Sequence, residues 1–181
     1  MAVQFFLEKQ NIALKHRTAL KHFIKSIFDR EKKNLSDLTY VFCSDDYLLA
    51  INKTHLRHDY YTDIITFDLS DRQGEISGEI YISTDRVRDN AATQVVSINE
   101  ELHRVIFHGA LHLCGYKDKT VSQKEEMRVL EDKYLRLYFK QRSTWKNVPP
   151  WNIFSRGTSK IHGFHTCLAI RTFAKCFQNT M

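Results

Sequence analysis

The sequence predicts an α+β domain, a mixed sheet of about four strands packed with helices. Short β-branched and aromatic runs alternate along the chain with longer segments whose apolar residues recur at helical spacing. Two of the strand-like runs flank a polar stretch that contains glycine, which is typical of a hairpin. Because a hairpin is antiparallel and other strands are followed by helices, we expect a mixed sheet, with a metal site at the end of a central helix.

The first part of the chain predicts two strands and two helices. Residues 3–7 form a short apolar run, and the amphipathic segment 16–33 favours a helix. Residues 38–43, LTYVFC, favour a second strand because they are rich in β-branched and aromatic side chains. Ser44 and the two aspartates after it can cap a helix through residues 46–56.

The middle of the chain predicts the hairpin. Its strands are expected over residues 64–69 and 78–83, and the residues between them include Gly74 and several polar side chains. Thr84 and the aspartate after it are candidate caps for a helix through residues 86–96.

The last two predicted helices surround the most informative motif. The segment 97–113 is expected to be a long helix, and Gly115 suits the position just past its end. Ser122 and Glu125 have the spacing of a capping box that opens a final helix. Its apolar stripe is formed by Met127, Leu130, Tyr134 and Leu137.

The net charge of +6 originates at the end of the chain. Residues 141–181 contain six Lys or Arg and no Asp or Glu, whereas residues 1–140 carry 21 basic and 21 acidic residues. We therefore predict a folded domain over residues 1–140 and a basic C-terminal extension over residues 141–181. The extension is either poorly ordered or a basic, aromatic-containing arm that helps to hold RNA.

The sequence favours a cytoplasmic protein. It contains no run of about 18 apolar residues that could span a membrane, and residues 1–17 lack the pattern of a secretory signal. The four cysteines are scattered and form no CxxC pair, which indicates reduced thiols. We therefore expect no membrane partner.

Two histidines and an aspartate have the spacing of a metal site. His108 and His112 lie one turn apart on one face of the predicted helix. Gly115 can adopt a left-handed conformation that turns the chain back and brings Asp118 to the same metal. Two histidines and one carboxylate leave a coordination position open, as in catalytic zinc sites. We predict one zinc ion, with other divalent metals as alternatives.

The spacing HxxxHxxGxxD is similar to that of zinc proteases, but one residue disfavours peptide hydrolysis. Such proteases carry a glutamate directly after the first histidine, where it performs acid–base chemistry. This chain has Gly109 at that position. Glycine in a helix costs about 1 kcal/mol against alanine, so we expect a close packing neighbour or the substrate to explain it.

Three separated motifs resemble the YbeY family of single-strand-specific endoribonucleases. They are HGALHLCGY (108–116), LRHDYYTDIITFD (56–68) and SGEIYIS (77–83). The resemblance covers roughly residues 3–140. Most members of the family carry a third histidine where this chain has Asp118, and a carboxylate there still suits zinc but makes the metal less electrophilic or shifts the preference among divalent metals.

The resemblance implies a metal-dependent endoribonuclease that acts late in ribosome maturation, on the 3′ end of the small-subunit (16S) rRNA precursor. It implies single-stranded RNA and ribosomal particles as partners, no DNA, and Arg57 as the catalytic arginine. A guanidinium suits this role because it can bind two phosphate oxygens while it stays charged.

Several alternatives stay open at the level of the sequence. The attacking group is either a water activated by the metal or the 2′-hydroxyl of the RNA, and no general base is evident. Asp63 either orients a histidine ligand or Arg57, or serves in a turn. We expect His103 to be structural. The other functions considered are a ribosome-assembly factor with a structural zinc and, less favoured because of Gly109, a metallopeptidase.

Overall fold

A computed structural model of the chain describes residues 2–8, 12–71 and 74–145, with side chains up to residue 141. Over this part of the chain, four strands and five α-helices are present. The strands are β1 (Ala2–Leu7), β2 (Asn34–Cys43), β3 (Ile64–Asp68) and β4 (Glu75–Ser83). The helices are α1 (Arg17–Arg30), α2 (Asp45–Ile51), α3 (Thr84–Gln94), α4 (Ile98–Leu113) and α5 (Val121–Trp145), and a π-helical turn over Asn52–Leu56 follows α2.

The strands form one mixed sheet in the order β1-β2-β4-β3. Strands β1, β2 and β4 run parallel, whereas β3 pairs with β4 in the antiparallel direction. The α+β class, the mixed sheet and the hairpin predicted from the sequence are therefore confirmed. Strands β2 and β4 begin earlier than expected, and the helix predicted over residues 46–56 ends at Ile51, where the π-helical turn follows.

The sheet buries alternate side chains of β2, one of its two central strands, against helices. Leu38, Tyr40 and Phe42 of β2 are completely or almost completely buried, and they belong to one core with Ile24 and Phe28 of α1. This period of two residues is the pattern of a strand that faces a packed layer. The core continues into α4 and α5, so these helices are fixed relative to the sheet.

Helix α4 is the central helix of the domain. It contacts β3, β4, α1, α3 and α5. The Tyr40 hydroxyl donates a buried hydrogen bond to the Ile106 carbonyl oxygen (3.1 Å), which ties the middle of α4 to β2. Its last turn, which carries the histidine motif, is therefore held by several neighbouring elements.

The predicted caps of α3 are corrected by the structure. The N-cap is Ser83, whose hydroxyl accepts a hydrogen bond from the Arg86 backbone amide (3.2 Å). Thr84 and Asp85 are the first residues of the helix itself. The shift arises because the final residue of β4 passes directly into the helix, so no separate linker residue is needed.

The predicted capping box of α5 is also displaced. The helix begins at Val121, and Thr120 caps it: the Thr120 hydroxyl accepts from the Gln123 amide (3.3 Å). The Gln123 side-chain oxygen in turn accepts from the Thr120 amide (3.1 Å). This Thr-x-x-Gln box satisfies amides of the first turn, so Ser122 and Glu125 lie inside the helix.

The predictions of a basic extension and of no membrane-spanning segment have different outcomes. Residues 146–181, most of the predicted basic extension, lie outside the described residues, and the division at residue 140 stays a prediction. Within the described ranges, no helix has both the length and the apolar character required to cross a membrane.

Candidate metal centre

The last turn of α4 and the loop after it bring three side chains together. The Nε2 atoms of His108 and His112 lie 2.9 Å apart. The Asp118 Oδ2 atom lies 3.8 Å from each of them. Each residue offers one ligand atom, and all three atoms fall within 4.8 Å of one another. The structure therefore assembles the His–His–Asp group that the sequence predicts.

A helix-ending turn at Gly115 brings Asp118 to the histidines. Gly115 has a φ of +104°, and its amide donates to the His112 carbonyl oxygen (2.9 Å). The Tyr116 amide donates to the Leu111 carbonyl oxygen (3.1 Å). This pair of bonds is a Schellman motif, which requires a left-handed residue just past the helix. The prediction for Gly115 is thus confirmed.

The three ligand atoms, Nε2 of His108, Nε2 of His112 and Oδ2 of Asp118, form what we call the metal triangle. The Nδ1 atom of each histidine contacts a hydrogen-bond acceptor outside this triangle. His108 Nδ1 lies 2.7 Å from Glu131 Oε1, and His112 Nδ1 lies 3.0 Å from the Tyr116 carbonyl oxygen. A carbonyl or ionised carboxylate can only accept, so each Nδ1 carries the hydrogen. Both Nε2 lone pairs consequently point into the triangle, which is the tautomer that binds a metal.

The triangle fits a divalent cation. Two lone pairs only 2.9 Å apart repel each other unless a proton or a metal ion lies between them. A tetrahedral zinc ion with ligands at about 2.0–2.1 Å separates its ligand atoms by about 3.3 Å, and the three distances of 2.9, 3.8 and 3.8 Å bracket that value. Two imidazole nitrogens and one carboxylate oxygen are ligands that zinc accepts.

The surroundings set the protonation of the two histidines apart. Burial lowers the pKa of His108, but the hydrogen bond to Glu131 and the charges of Glu131, Asp63 and Asp118 outweigh it, so the pKa is raised. Burial and the charge of His108 lower the pKa of His112. A neutral His112 is ready to bind a cation, whereas at His108 protons compete with a cation for Nε2 up to a higher pH.

Arg57 lies on an exposed loop that follows the π-helical turn. Its backbone adopts a left-handed conformation (φ 56°, ψ 30°). Among the described residues, no acidic side chain pairs with its guanidinium. The loop leads to Asp63, whose negative charge helps to raise the pKa of His108. Arg57 lies six residues before Asp63 in the chain, and its catalytic role stays a prediction.

Comparison with known proteins identifies the chain's relatives. The family model described as Endoribonuclease YbeY matches residues 3–138. An endoribonuclease YbeY of Cytophaga hutchinsonii is 51% identical over 133 residues, which cover 74% of this chain and 93% of the relative. One of Parabacteroides distasonis is 43% identical over 135 residues, which cover 75% and 94%.

The chain belongs to the endoribonuclease YbeY family. This finding confirms the resemblance seen in the three motifs and the prediction of an enzyme of the endoribonuclease class. A solution structure of a Thermotoga maritima protein is also similar, with a TM-score of 0.53 and 25% identity over 82% of this chain and 97% of the other. The fold is thus shared beyond close sequence relatives.

Gly109 has a packing role in this YbeY-family chain. A Cβ atom at this position would lie 2.8 Å from Ile64 Cδ1 and 2.9 Å from Ile80 Cγ2. The glycine lets α4 approach β3 and β4 closely, as the sequence led us to expect of a packing neighbour. A side chain at this position would meet the sheet, so the acid–base glutamate of the zinc proteases has no equivalent here.

Sequence reasoning missed Glu131, which lies on α5 and is almost fully buried (6% exposed). Besides contacting His108, it accepts from Arg104, whose Nη1 atom lies 3.4 Å from Glu131 Oε2 and 2.8 Å from Asp132 Oδ1. A signal was present in the sequence: Glu131 falls four residues after Met127, on the apolar stripe of α5. A carboxylate on a buried stripe indicates a specific partner.

Two other side chains have clear structural settings. The Asp63 carboxylate accepts from Asn90 Nδ2 (3.2 Å), so the alternative in which it orients a histidine through a hydrogen bond is not the one seen. His103 is 1% exposed, stacks on Tyr138 (centroids 4.8 Å apart), and its Nδ1 lies 2.5 Å from the Asn99 carbonyl oxygen. These contacts agree with the structural role expected for His103.

Proposed function

We propose that the chain is a metal-dependent endoribonuclease specific for single-stranded RNA, with His108, His112 and Asp118 as ligands of one zinc ion and Arg57 as the catalytic arginine. The observation that carries the proposal is the pair of inward-facing Nε2 atoms in a chain of the YbeY family. A bound divalent cation supplies polarisation of the scissile phosphate and acidifies water. Other divalent metals with nitrogen and oxygen ligands are alternatives to zinc.

The accessibility of the three ligands favours a catalytic metal over a structural one. The side chains of His108, His112 and Asp118 are 19%, 24% and 45% exposed. A structural zinc site is closed by four protein ligands, whereas a catalytic site has three and admits water or substrate. Three ligands at the surface therefore support access of a phosphate group to the metal.

Arg57 supplies a cation for the substrate. Phosphodiester cleavage concentrates negative charge on the non-bridging oxygens, and a guanidinium can bind two of them. Since Arg57 is exposed and has no acidic partner among the described residues, phosphate need not displace a carboxylate from it. Its part in the reaction is to bind the phosphate and stabilise the charge that develops.

Aromatic residues after Arg57 support a preference for single strands. Tyr60 and Tyr61 are 58% and 50% exposed. The Tyr60 ring stacks on His58 (5.2 Å, 22°), and the Arg86 guanidinium lies 5.2 Å from the centre of the Tyr61 ring. Unpaired bases stack on aromatic and guanidinium planes, whereas bases in a duplex are covered by their neighbours.

The biological substrate we propose is the 3′ end of the small-subunit (16S) rRNA precursor, within ribosomal particles in the cytoplasm. Family membership and the three motifs support this choice. We further propose that residues 1–140 form the endoribonuclease domain and that residues 141–181 form a basic extension.

Cleavage of a labelled single-stranded RNA by the purified full chain tests the function. We expect cleavage by the wild type, loss after chelation, recovery with zinc, and little cleavage of the same sequence in a duplex. His112→Ala removes a ligand and should be inactive, whereas His22→Ala, an exposed histidine on α1, is the matched control.

The outcomes separate the candidate functions. Equal cleavage by wild type and His112→Ala would point to a contaminating nuclease and overturn the proposal. An inactive wild type that binds zinc and unfolds on its removal would favour the ribosome-assembly factor. Hydrolysis of peptides without cleavage of RNA would favour the peptidase.

A further inference from the structure

A carboxylate outside the metal triangle joins the end of α1 to α5 and to the loop after α4. Glu31 directly follows α1, and its side chain is 13% exposed. Its Oε2 atom accepts from the Tyr116 hydroxyl (2.7 Å), and its Oε1 atom accepts from the Tyr134 hydroxyl of α5. Lys133 Nζ lies 3.9 Å from Oε1. The end of α1, the loop after α4 and α5 therefore meet at one group.

Tyr116 connects this group to the metal triangle. Its hydroxyl binds Glu31, while its backbone carbonyl oxygen accepts the His112 Nδ1 hydrogen (3.0 Å). The carbonyl direction depends on the backbone dihedral angles of Tyr116, which lies just past the Schellman turn and before α5. Residues 116–118 form no helix or strand, so no repeating backbone ladder fixes that carbonyl. The hydroxyl contact supplies a fixed point instead.

We propose that Glu31 is a positioning residue of the metal site: it holds the Tyr116 side chain, and thereby the Tyr116 carbonyl that keeps the His112 hydrogen on Nδ1 and directs Nε2 toward the metal. This inference rests on the proposed metal ligands. It makes the two histidines comparable, since His108 is oriented directly by Glu131 and His112 indirectly by Glu31. Hydrogen-bond partners beyond the ligands commonly fix the orientation of metal-binding histidines.

The two tyrosines provide a matched pair of variants. Tyr116→Phe and Tyr134→Phe each delete one hydroxyl that donates to the same carboxylate. Among the described contacts, only the Tyr116 hydroxyl belongs to the residue whose carbonyl binds His112. A merely structural role for the Glu31 cluster predicts similar effects of the two variants, whereas positioning predicts different ones.

Zinc dissociation constants of the full chain, measured by competition with a chromophoric chelator, test the proposal. Tyr116→Phe should weaken zinc binding by about tenfold, the lower end of the range for losing a partner beyond the ligands. Tyr134→Phe should leave the zinc dissociation constant within about twofold of the wild-type value. The thermal unfolding temperature should fall in both variants. Equal zinc affinities for the two variants would overturn the proposal.

Two further measurements keep the test decisive. If Tyr116→Phe does not fold, Glu31→Ala takes its place in the comparison with Tyr134→Phe. Glu31→Ala should then bind zinc more weakly than Tyr134→Phe, by the factor expected for Tyr116→Phe. In the metal-free protein, nuclear magnetic resonance should show faster exchange of the His112 Nδ1 hydrogen in Tyr116→Phe than in Tyr134→Phe. Equal exchange would contradict the positioning role.

The proposed function can fail separately from this inference. Equal zinc binding by wild type and His112→Ala would reject the ligand set. The exchange of the His112 hydrogen would still decide whether Glu31 positions that ring, because this measurement requires neither metal nor RNA.

Discussion

The metal triangle and the Arg57 loop, residues 57–63, are held in different ways. Each histidine Nδ1 has a hydrogen-bond partner, Glu131 for His108 and the Tyr116 carbonyl oxygen for His112, so both rings are oriented without a ligand. The loop is held by one backbone contact and one ion pair between side chains. Asn52 Nδ2 donates to the Tyr60 carbonyl oxygen (2.8 Å), and Lys53 Nζ lies 2.7 Å from Asp59 Oδ1. The side chain of Arg57 has no acidic partner in the described part of the chain. The comparison indicates a metal centre whose histidines are preorganised and, on the Arg57 loop, a cation that no acidic side chain of the described residues occupies.

The largest effect is expected from Arg57→Ala. Deletion of a group that stabilises transition-state charge should lower kcat by about 100- to 1000-fold. Zinc affinity should be unchanged, because Arg57 contacts none of the three ligands in the described structure. Single-turnover RNA cleavage and chelator competition measure the two quantities, with Arg128→Ala of α5 as the exposed control. A parallel loss of zinc would show that the two regions are not separable.

The next effect concerns the turn that positions Asp118. Gly115 and Gly74 have φ values of +104° and +90°, and a Cβ would meet nothing within 4 Å at either. Gly115→Ala and Gly74→Ala should each lower the free energy of unfolding by about 1–2 kcal/mol, because alanine is strained in a left-handed backbone conformation. Only Gly115→Ala should also weaken zinc binding, by about tenfold or more, since it alters the approach of Asp118. Denaturant unfolding and zinc competition test the pair, and equal zinc affinities would contradict this account.

Glu131→Gln tests the orientation of the other histidine and has a pH signature. The Glu131 carboxylate raises the pKa of His108, and protons compete with zinc for Nε2, so zinc affinity should fall as the pH drops through that raised pKa. The glutamine lowers this pKa, and the acid release of zinc should therefore move to lower pH. At neutral pH the lost carboxylate should cost about tenfold in affinity. Zinc titrations at several pH values would reveal an unchanged profile if Glu131 were not involved.

The smallest effect separates stability from activity in the loop. Arg57 and Val95 both have a φ of 56°, and glycine at such positions removes about 1–2 kcal/mol of strain but costs about 0.5–1 kcal/mol in chain entropy. Both Arg57→Gly and Val95→Gly should thus be more stable by about 0.5 kcal/mol. Only the first should lose RNA cleavage. A destabilised Val95→Gly, in urea unfolding, would contradict the strain argument.

The sequence predicted those features that depend on local patterns. The helical spacing of His108 and His112, the turn at Gly115 and the close packing at Gly109 each follow from a few neighbouring residues. The N-cap of α5 could not be predicted from local sequence, because Thr120 and Ser122 both suit the start of a helix. Only the folded backbone selects Thr120. The family resemblance was predicted from three motifs that agree in order, and the family model and the relatives confirm it.

Long-range partners could not be predicted in the same way. Glu131 meets a histidine 23 residues away, and Glu31 meets Tyr116 across 85 residues. Such contacts depend on how α1, α4 and α5 pack, which no local spacing encodes. Glu131 left a weak signal as a carboxylate on an apolar stripe, whereas Glu31 follows a helix in a charged segment and left none.

Metal analysis of the full chain tests the central claim that His108, His112 and Asp118 hold one divalent ion. Wild type, His112→Ala, Asp118→Ala and His22→Ala would be loaded with zinc, dialysed and measured by elemental analysis. We predict about one zinc per chain for the wild type and His22→Ala, with loss in His112→Ala and strongly reduced retention in Asp118→Ala. Full zinc content in His112→Ala would contradict the metal centre, and full content and affinity in Asp118→Ala would remove Asp118 from it.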